Sequence, residues 1–288
     1  MLLSILLAVG ASVGNAVASV LQRKAARREP DSEAFELRLL WHLVQQPAWL
    51  GGVLAMISGF VLQAAALGTG PIALVQPILI LELGFTLVLS SMVFHVRLAP
   101  REWLAVGGMS VGIALLLFAL RANGGNPRAA TGWTWVLATA VTVGVIGILA
   151  VVGYRKQDAG RPAYLGVATG VCFGFTAVLL AAITAEGLGN LLTTWQTYAL
   201  IVIGPAGFFL LQNALQGGRL VASQPGLTLA NPLVALGWGV AVFGERVQSG
   251  GWIALALAGA AVIAVCTVLL ARSLSEQDVS DEQPAQQH

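Results

Sequence analysis

Charged side chains are scarce in this sequence of 288 residues, and their scarcity excludes whole classes of protein. Charged residues make up 10% of the chain and hydrophobic residues 57%, with a mean hydropathy of +0.82. So little polar surface cannot cover a water-soluble globule, which means that the chain needs lipid as its solvent. The basic residues lie in short clusters between apolar runs, and this pattern does not indicate a nucleic-acid partner.

Cysteines are few, and motifs for catalysis are missing. Cys172 and Cys266 both lie inside apolar runs without Cys-x-x-Cys spacing, which is typical of packing residues and not of a disulfide or metal pair. The sequence contains no phosphate-binding loop, nucleophile elbow or zinc motif. We therefore expect neither an ATPase nor a membrane hydrolase, and no cofactor.

Long apolar runs dominate what is present. A bilayer core of roughly 30 Å takes about 20 helical residues, and nine runs approach that length. The sequence thus predicts an all-α polytopic membrane protein with spans at 2–22, 49–68, 72–94, 102–120, 132–153, 163–184, 196–216, 220–243 and 251–271.

The distribution of Lys and Arg predicts the orientation. With nine spans and the N-terminus outside, twelve basic residues fall on the cytoplasmic side and three on the outer side. The amphipathic segment 32–46 would then lie along the interface; as a tenth span it would give seven against seven, which the positive-inside rule disfavours. We expect a multi-pass protein of the cell membrane with a cytoplasmic C-terminus, and residues 273–288 as a disordered acidic tail.

An internal repeat divides the chain at a spacing near 149 residues. Its matched pairs are Phe60-Val61-Leu62-Gln63 with Phe209-Leu210-Leu211-Gln212, Gln76-Pro77 with Gln224-Pro225, Val93-Phe94 with Val242-Phe243, Trp103 with Trp252, and, more weakly, Gly10-x-x-x-Gly14 with Gly166-x-x-x-Gly170. Residues 1–121 form the first unit and 163–271 the second, and the odd linking helix at 132–153 inverts the second unit. Inverted repeats are typical of secondary transporters.

These residues resemble the drug/metabolite transporter superfamily, whose units are EamA-like. The resemblance rests on Leu62-Gln63-x-x-Ala66-Leu67-x-x-Gly70, on Leu211-Gln212-Asn213-Ala214-Leu215-x-x-Gly218, and on the ending Phe243-Gly244-Glu245-Arg246. The first unit instead ends in Phe94-His95-Val96-Arg97. The wide connection after the first helix and the count of nine look most like the NIPA-like branch, and that resemblance implies magnesium transport.

Glu82 is the one carboxylate, of thirteen acidic residues, that the sequence places deep inside a predicted span. Such a group is expensive unless it faces a cavity, stays protonated or pairs with a cation, so it predicts a binding or coupling site. The alternative is a protonated Glu82 that hydrogen-bonds to a neighbouring helix and has only a structural role.

Amides within the predicted spans extend this candidate site. Besides Glu82, the predicted substrate-binding or coupling residues are Gln63, Gln76, Gln212, Asn213, Gln216, Gln224, Thr228 and Asn231, and Asn15 is a further amide within a predicted span. Gln224, Thr228 and Asn231 share one face of the eighth helix, because helical neighbours recur every three or four residues. Interhelical hydrogen bonding without a substrate is the alternative for each amide.

Prolines within the predicted spans indicate broken helices that line a cavity. Pro77, Pro205, Pro225 and Pro232 each remove one backbone hydrogen bond, and the matched pair Pro77 and Pro225 is the stronger signal. Packing kinks are the alternative. Glu245-Arg246 after the eighth helix suggests an exposed ion pair of little weight, or a gate contact.

Together these features predict a secondary transporter with a cavity between helices two, three, seven and eight. It would move a small polar or cationic metabolite or drug, coupled to an ion or a proton. A Mg²⁺ transporter, with Glu82 as the metal ligand, is the first alternative. A lipid-carrier flippase or a non-transporting membrane scaffold is the second. The sequence leaves a homodimer open.

Overall fold

A computed structural model describes residues 1–26, 46–95, 98–155, 161–216 and 220–282 of the chain. Its helices are α1 (Leu2–Ala26), α2 (Pro47–Thr69), α3 (Ile72–Leu79), α4 (Leu81–Phe94), α5 (Pro100–Leu120), α6 (Gly132–Arg155), α7 (Arg161–Glu186), α8 (Trp195–Gln216), α9 (Leu220–Ala241) and α10 (Gly251–Glu282). Two short strands, β1 (Asn123–Gly124) and β2 (Glu245–Arg246), complete the fold with 3-10 turns at Pro127–Ala129 and Leu188–Asn190.

The protein is an all-α, multi-pass membrane protein. Among the described residues, seven helices are long and apolar enough to cross a membrane, with α3 and α4 together forming one of them. Two shorter apolar helices, Trp195–Leu211 and Gly226–Ala241, lie within α8 and α9. Many large apolar side chains on the helices are exposed, among them Leu104 at 74% and Trp133 at 74%, as a lipid-facing surface requires.

The nine apolar runs are helical, the third as the pair α3 and α4, and the boundaries differ by a few residues. The main difference is at the C-terminus, where α10 continues to Glu282 although a disordered tail is predicted from Ser273. Extending an existing helix needs no new nucleus, so polar residues can continue it beyond the apolar run. Most of the amphipathic segment 32–46 lies outside the described residues.

Helix α7 is at the centre of the bundle and α6 at its edge. The share of buried residues in the apolar window is 83% for α7 and 11% for α6. Helix α7 packs extensively against α8 and α9 and also contacts α2, α3 and α6. The linking helix is therefore peripheral, and the bundle is organised around the first helix of the second unit.

The sequence repeat matches α1 with α7, α2 with α8, α3 and α4 with α9, and α5 with α10. Many helix contacts in the first unit have a counterpart between the matched helices of the second. Helix α1 packs on α2 as α7 packs on α8, and α1 packs on α3 and α4 as α7 packs on α9. Helix α5 packs on its own match α10, and α3 packs on its own match α9. These pairs are the contacts expected if the two predicted units are related by a two-fold axis.

Glycines allow the closest helix contacts. A Cβ on Gly112 of α5 would lie 3.0 Å from the carbonyl oxygen of Gly259 in α10, so the two backbones touch where these helices cross. The repeated Gly motifs are not equivalent, however. Gly14 contacts Gly59 of α2, whereas Gly170 contacts Leu227 of α9. This weakest part of the sequence repeat does not correspond to a matched contact.

One end of the bundle carries the strands, and we call it the β1–β2 end. The strands pair antiparallel, with Asn123 opposite Arg246 and Gly124 opposite Glu245. The Asn126 N–H donates to the Phe243 carbonyl oxygen over 2.8 Å. The loops after α5 and α9 are thereby joined.

Other chain segments meet at the same end. Ser4 at the start of α1 packs closely on Gly70, which follows α2. Arg128, after β1, lies 3.8 Å from Glu186 at the end of α7. The ring of Trp195 at the start of α8 contacts Trp135 at the start of α6. Successive long helices therefore alternate in direction.

Helix three of the prediction is broken at Ile80, three residues after Pro77, into α3 and α4. The other three predicted breaks are wrong: α8 runs through Pro205, and α9 runs through Pro225 and Pro232, without interruption. A proline removes a single helix bond, and the helix can continue when neighbouring turns absorb the steric conflict.

Candidate functional site

A cavity of about 370 Å³ lies within the apolar part of the bundle. It is lined by residues of α1, α2, α3, α4, α7, α8 and α9: Asn15, Gln63, Gln76, Leu79, Ile80, Glu82, Leu83, Phe173, Thr176, Leu211, Leu227, Thr228 and Asn231. Both units contribute to its wall. Its volume is in the range of pockets for small molecules.

Glu82 enters this cavity from the first turn of α4. The interruption is the single residue Ile80, which keeps φ of −60° and ψ of −26°, and Glu82 lies in the first turn of α4, where the helix dipole favours a negative charge. Asn15 of α1 donates from Nδ2 to Glu82 Oε2 over 3.1 Å. The carboxyl group is thus held between a helix end and an amide.

The position of Asn15 depends on a glycine in α2. A Cβ on Gly59 would collide with the Asn15 side chain, and its distance to the Asn15 backbone nitrogen would be 3.2 Å. Any larger residue at this position would push Asn15 away from Glu82. The absence of a side chain at Gly59 therefore helps to place the Asn15–Glu82 pair.

The broken helix is supported from α1. The Ser12 hydroxyl lies 2.9 Å from the Ala8 carbonyl oxygen of its own helix and 3.2 Å from the Ile78 carbonyl oxygen. Ile78 belongs to the last turn of α3, and its carbonyl oxygen also faces the Ile80 backbone N–H. Ser12 thus stabilises the break that places Glu82 at a helix N-terminus.

Two amides of the cavity wall have unsatisfied polar atoms. Gln76 is 2% exposed, and no described residue forms a hydrogen bond with its buried Nε2. Asn231 Oδ1 is likewise buried without a partner among the described residues. A buried polar atom without a partner costs about 1–3 kcal/mol. One spare donor and one spare acceptor in the wall favour a polar occupant.

The predicted site residues are brought together only in part. Glu82, Gln63, Gln76, Thr228 and Asn231 line the cavity. Asn213 does not, since its amide donates to the Phe209 carbonyl oxygen of its own helix over 2.8 Å. The side chains of Gln212, Gln216, Gln224 and Pro225 lie outside the described residues. Pro77, Pro205 and Pro232 are not part of the wall.

A protein of Corynebacterium glutamicum is similar to this chain over most of its length. The two are 31% identical over 280 residues, which cover 94% of this chain and 96% of that uncharacterized protein. The chain belongs to its family. No protein-family model matches the chain, and no solved structure matches it. The similarity extends over nearly the whole length of both proteins.

Sequence reasoning missed two contributions to the cavity of this family member. The prediction places the cavity between the second, third, seventh and eighth spans, which correspond to α2, α3 with α4, α8 and α9. In the structure, α1 and α7 also line it through Asn15, Phe173 and Thr176. Asn15 is one of the amides noted within the spans, but only the fold shows that it is the partner of Glu82. Phe173 and Thr176 carry no signal that separates them from ordinary packing residues.

Glu245 is the clearest correction. The sequence favoured an exposed ion pair with Arg246, but Glu245 is 6% exposed. Its Oε1 accepts the Ile72 N–H over 2.7 Å, and its Oε2 accepts the Ala73 N–H over 3.1 Å. Burial raises the pKa of Glu245, and the two backbone N–H donors partly offset this increase. The two N–H groups belong to a helix distant in sequence, so local pattern could not reveal them.

Proposed function

We propose that this protein is a secondary transporter that moves a small polar or cationic metabolite or drug across the cell membrane, coupled to an ion or a proton. The cavity that holds Glu82 carries the proposal. A carboxylate within a membrane-spanning helix is costly, and it is retained where it binds a substrate or carries a proton. Here it faces a cavity whose wall includes several amides.

The proposed architecture is nine spans in two inverted repeats. The alternating direction of the helices supports the count. The matched helix contacts support the repeat, and the cavity lies where the two units meet. Such an arrangement suits alternating access, in which two related bundles rock around one central site. The resemblance to the drug/metabolite transporter superfamily agrees with this architecture.

The broken helix supports a role for Glu82 in binding. In secondary transporters, interrupted helices near the midplane offer helix ends to charged groups of the substrate or coupling ion. Glu82 in the first turn of α4 combines its own charge with the end of the broken helix. A positive group of the substrate, or a proton, would bind at this carboxylate.

The composition of the wall favours an organic substrate over Mg²⁺. Mg²⁺ demands near-octahedral oxygen ligands and usually keeps several waters. Among the described residues, no group of three or more His, Cys, Asp or Glu side chains could hold a metal ion. One carboxylate beside amides and the apolar side chains of Leu79, Leu83 and Leu227 matches a small amphipathic molecule better.

Transport by purified protein in sealed vesicles tests the proposal. Uptake and efflux of radiolabelled polar metabolites, cationic dyes, Mg²⁺ and a labelled lipid carrier are measured with and without a pH gradient. Glu82→Gln is compared with wild type. Glu186→Gln is the control, because Glu186 lies outside the cavity and is paired with Arg128. Gln63→Ala is compared with Asn213→Ala, an amide that does not line the cavity.

We expect a gradient-dependent flux of at least one organic substrate that falls about tenfold or more in Glu82→Gln, since a hydrogen bond to a charged group is worth about 1.5–3 kcal/mol. Gln63→Ala should reduce flux more than Asn213→Ala. If Mg²⁺ is the one substrate that moves, the protein is a Mg²⁺ transporter and not a transporter of organic molecules. If the lipid carrier is the one substrate that moves, the protein is a flippase. Equal flux in wild type and a correctly inserted Glu82→Gln would refute the role of Glu82.

A further inference from the structure

A second cavity, of about 320 Å³, lies at the β1–β2 end and is lined in part by Glu245. Its wall includes the connection from α2 to α3, the loop around Gly124 and Gly125, the end of α7 and Glu245. Neither the substrate site nor the helix packing described above involves this carboxylate. Its position therefore needs a separate explanation.

The Glu245 carboxylate binds the N-terminus of α3. The N–H groups of Ile72 and Ala73, at the start of that helix, have no helical acceptor, and Glu245 supplies one oxygen to each. The contact is charge-assisted and bidentate when the carboxyl group is ionised. It joins a loop of the second unit to a helix of the first unit.

Two glycines make room for this carboxylate. A Cβ on Gly239 of α9 would lie 2.8 Å from Glu245 Cδ, and a Cβ on Gly125 would collide with the Glu245 side chain. Gly244 has φ of 70°, in the left-handed region that glycine adopts easily, and it turns the chain from α9 into β2. The local backbone is thus shaped to bury the carboxylate against α3.

Helix α3 is short, and its two ends differ. Glu245 binds its first turn, and the break at Ile80 follows its last turn. Between them α3 presents Gln76 to the substrate cavity, and Glu82 lies two residues beyond the break. A gate at this end would require α3 to tilt about Ile80 when the contact to Glu245 is lost.

We propose that Glu245 is a latch that keeps α3 closed as a gate at the β1–β2 end of the protein. The role of this gate in transport rests on the proposed function, but the latch itself is a property of the fold. In the proposed orientation this end faces outside the cell. Release of the latch would open the path from there to Glu82.

The latch belongs to one end only. In the first unit, Phe94-His95-Val96-Arg97 matches Phe243-Gly244-Glu245-Arg246, so a valine occupies the position of Glu245. His95 has φ of 56°, close to the 70° of matched Gly244, and the two chains turn in the same way. The position that matches Glu245 in the first unit therefore has no carboxylate, and the latch to α3 has no sequence counterpart there.

Thiol labelling tests the latch without any substrate. Ala181 of α7 is 3% exposed and lies in the wall of the second cavity, and Ala181→Cys changes its size little. The reporter is placed in a background with Cys172→Ala and Cys266→Ala. A membrane-impermeant maleimide is applied from the side on which Asn126→Cys, an exposed position beside β1, reacts. The labelling rate of the cysteine at position 181 is measured in three proteins, which carry Glu245, Glu245→Ala or Glu245→Gln.

We expect Glu245→Ala to raise the labelling rate of the reporter about tenfold or more, because both hydrogen bonds are lost. Glu245→Gln keeps one acceptor oxygen and should give an intermediate rate. Glu186→Gln, at the same end but outside the latch, should leave the rate unchanged. Equal rates in wild type and Glu245→Ala would overturn the latch.

If Glu245→Ala does not fold, Glu245→Gln alone decides, because a rate equal to wild type then overturns the latch. Failure of the latch and failure of the transport proposal remain separate results. Labelling measures the opening of the gate, whereas flux in vesicles measures the activity at Glu82. Faster labelling in Glu245→Ala without any flux would support the latch and refute the transport proposal. Flux at Glu82 without faster labelling in Glu245→Ala would do the reverse.

Discussion

Two carboxyl groups, Glu82 and Glu245, line the two cavities and have different surroundings. Glu82 is held by the Asn15 amide at the end of a broken helix, and Glu245 is held by two backbone N–H groups at the start of another. The first faces a cavity with polar walls and has the chemistry of a binding group. The second closes a contact between two units, as a structural or gating group does.

The raised pKa of Glu245 predicts a pH-dependent contribution to stability. No charged side chain contributes to this increase, which comes from burial. In the unfolded chain the carboxyl group titrates near its ordinary value of 4.5. The folded state holds the proton to higher pH, so this contribution is complete below the ordinary value and is lost as pH rises through the raised one.

Thermal unfolding in detergent checks this dependence. The melting temperature of wild type relative to Glu245→Gln should fall as pH rises from 4.5 through the folded pKa, because glutamine does not titrate. Glu186→Gln, at a partly exposed ion pair, provides the comparison at the same end. The effect of burial would be contradicted if the melting temperature of wild type minus that of Glu245→Gln stayed constant or rose with pH.

At the scale of elements, the break between α3 and α4 determines how the site is built. Pro77 indicates where a helix is weakened, but the break occurs at Ile80, where α1 supplies Ser12 to the Ile78 carbonyl oxygen. Helices α8 and α9 contain prolines and remain continuous. A proline alone therefore does not make a break.

Removal of the Ser12 hydroxyl should weaken this element. Ser12→Ala leaves the Ile78 carbonyl without the donor from α1, and we expect a loss of about 1 kcal/mol or more in the free energy of unfolding. Thr267→Val is the control, since the buried Thr267 hydroxyl donates only to the Ile263 carbonyl of its own helix. Unfolding by denaturant in detergent measures both. Equal losses would show that Ser12 is not special to the break.

At the scale of the whole molecule, alternating helices and matched contacts support an odd number of spans. The start of α1 lies at the β1–β2 end, and α10 begins at the same end. An odd count puts the two termini on opposite sides of the membrane. It also gives the second predicted unit the opposite orientation to the first, as the proposed alternating access requires.

Cysteine accessibility in intact cells checks the topology. In the background without Cys172 and Cys266, Asn126→Cys should react with an impermeant maleimide added outside. Gln277→Cys, beyond the apolar part of α10, should react only after the membrane is made permeable. The positive-inside distribution of Lys and Arg gives this direction. Reaction of both residues from one side would rule out an odd number of spans.

The sequence alone determined that this is a membrane protein of helices, because lipid allows few other structures for a chain so apolar. It also determined where the helices lie, and it identified Glu82, Gln63, Gln76, Thr228 and Asn231 as candidates for one site. These results depend on local composition and on the period of the helix, both of which can be read along the chain.

Only the tertiary structure decided which residues meet. Asn15 is separated from Glu82 by 67 positions and Glu245 from Ile72 by 173, and no local pattern encodes such pairs. The structure also decided that Asn213 turns to its own backbone and that three of the four prolines leave their helices intact. Each outcome depends on what the neighbouring helix offers at that depth, because in lipid a polar group must find its partner within the protein.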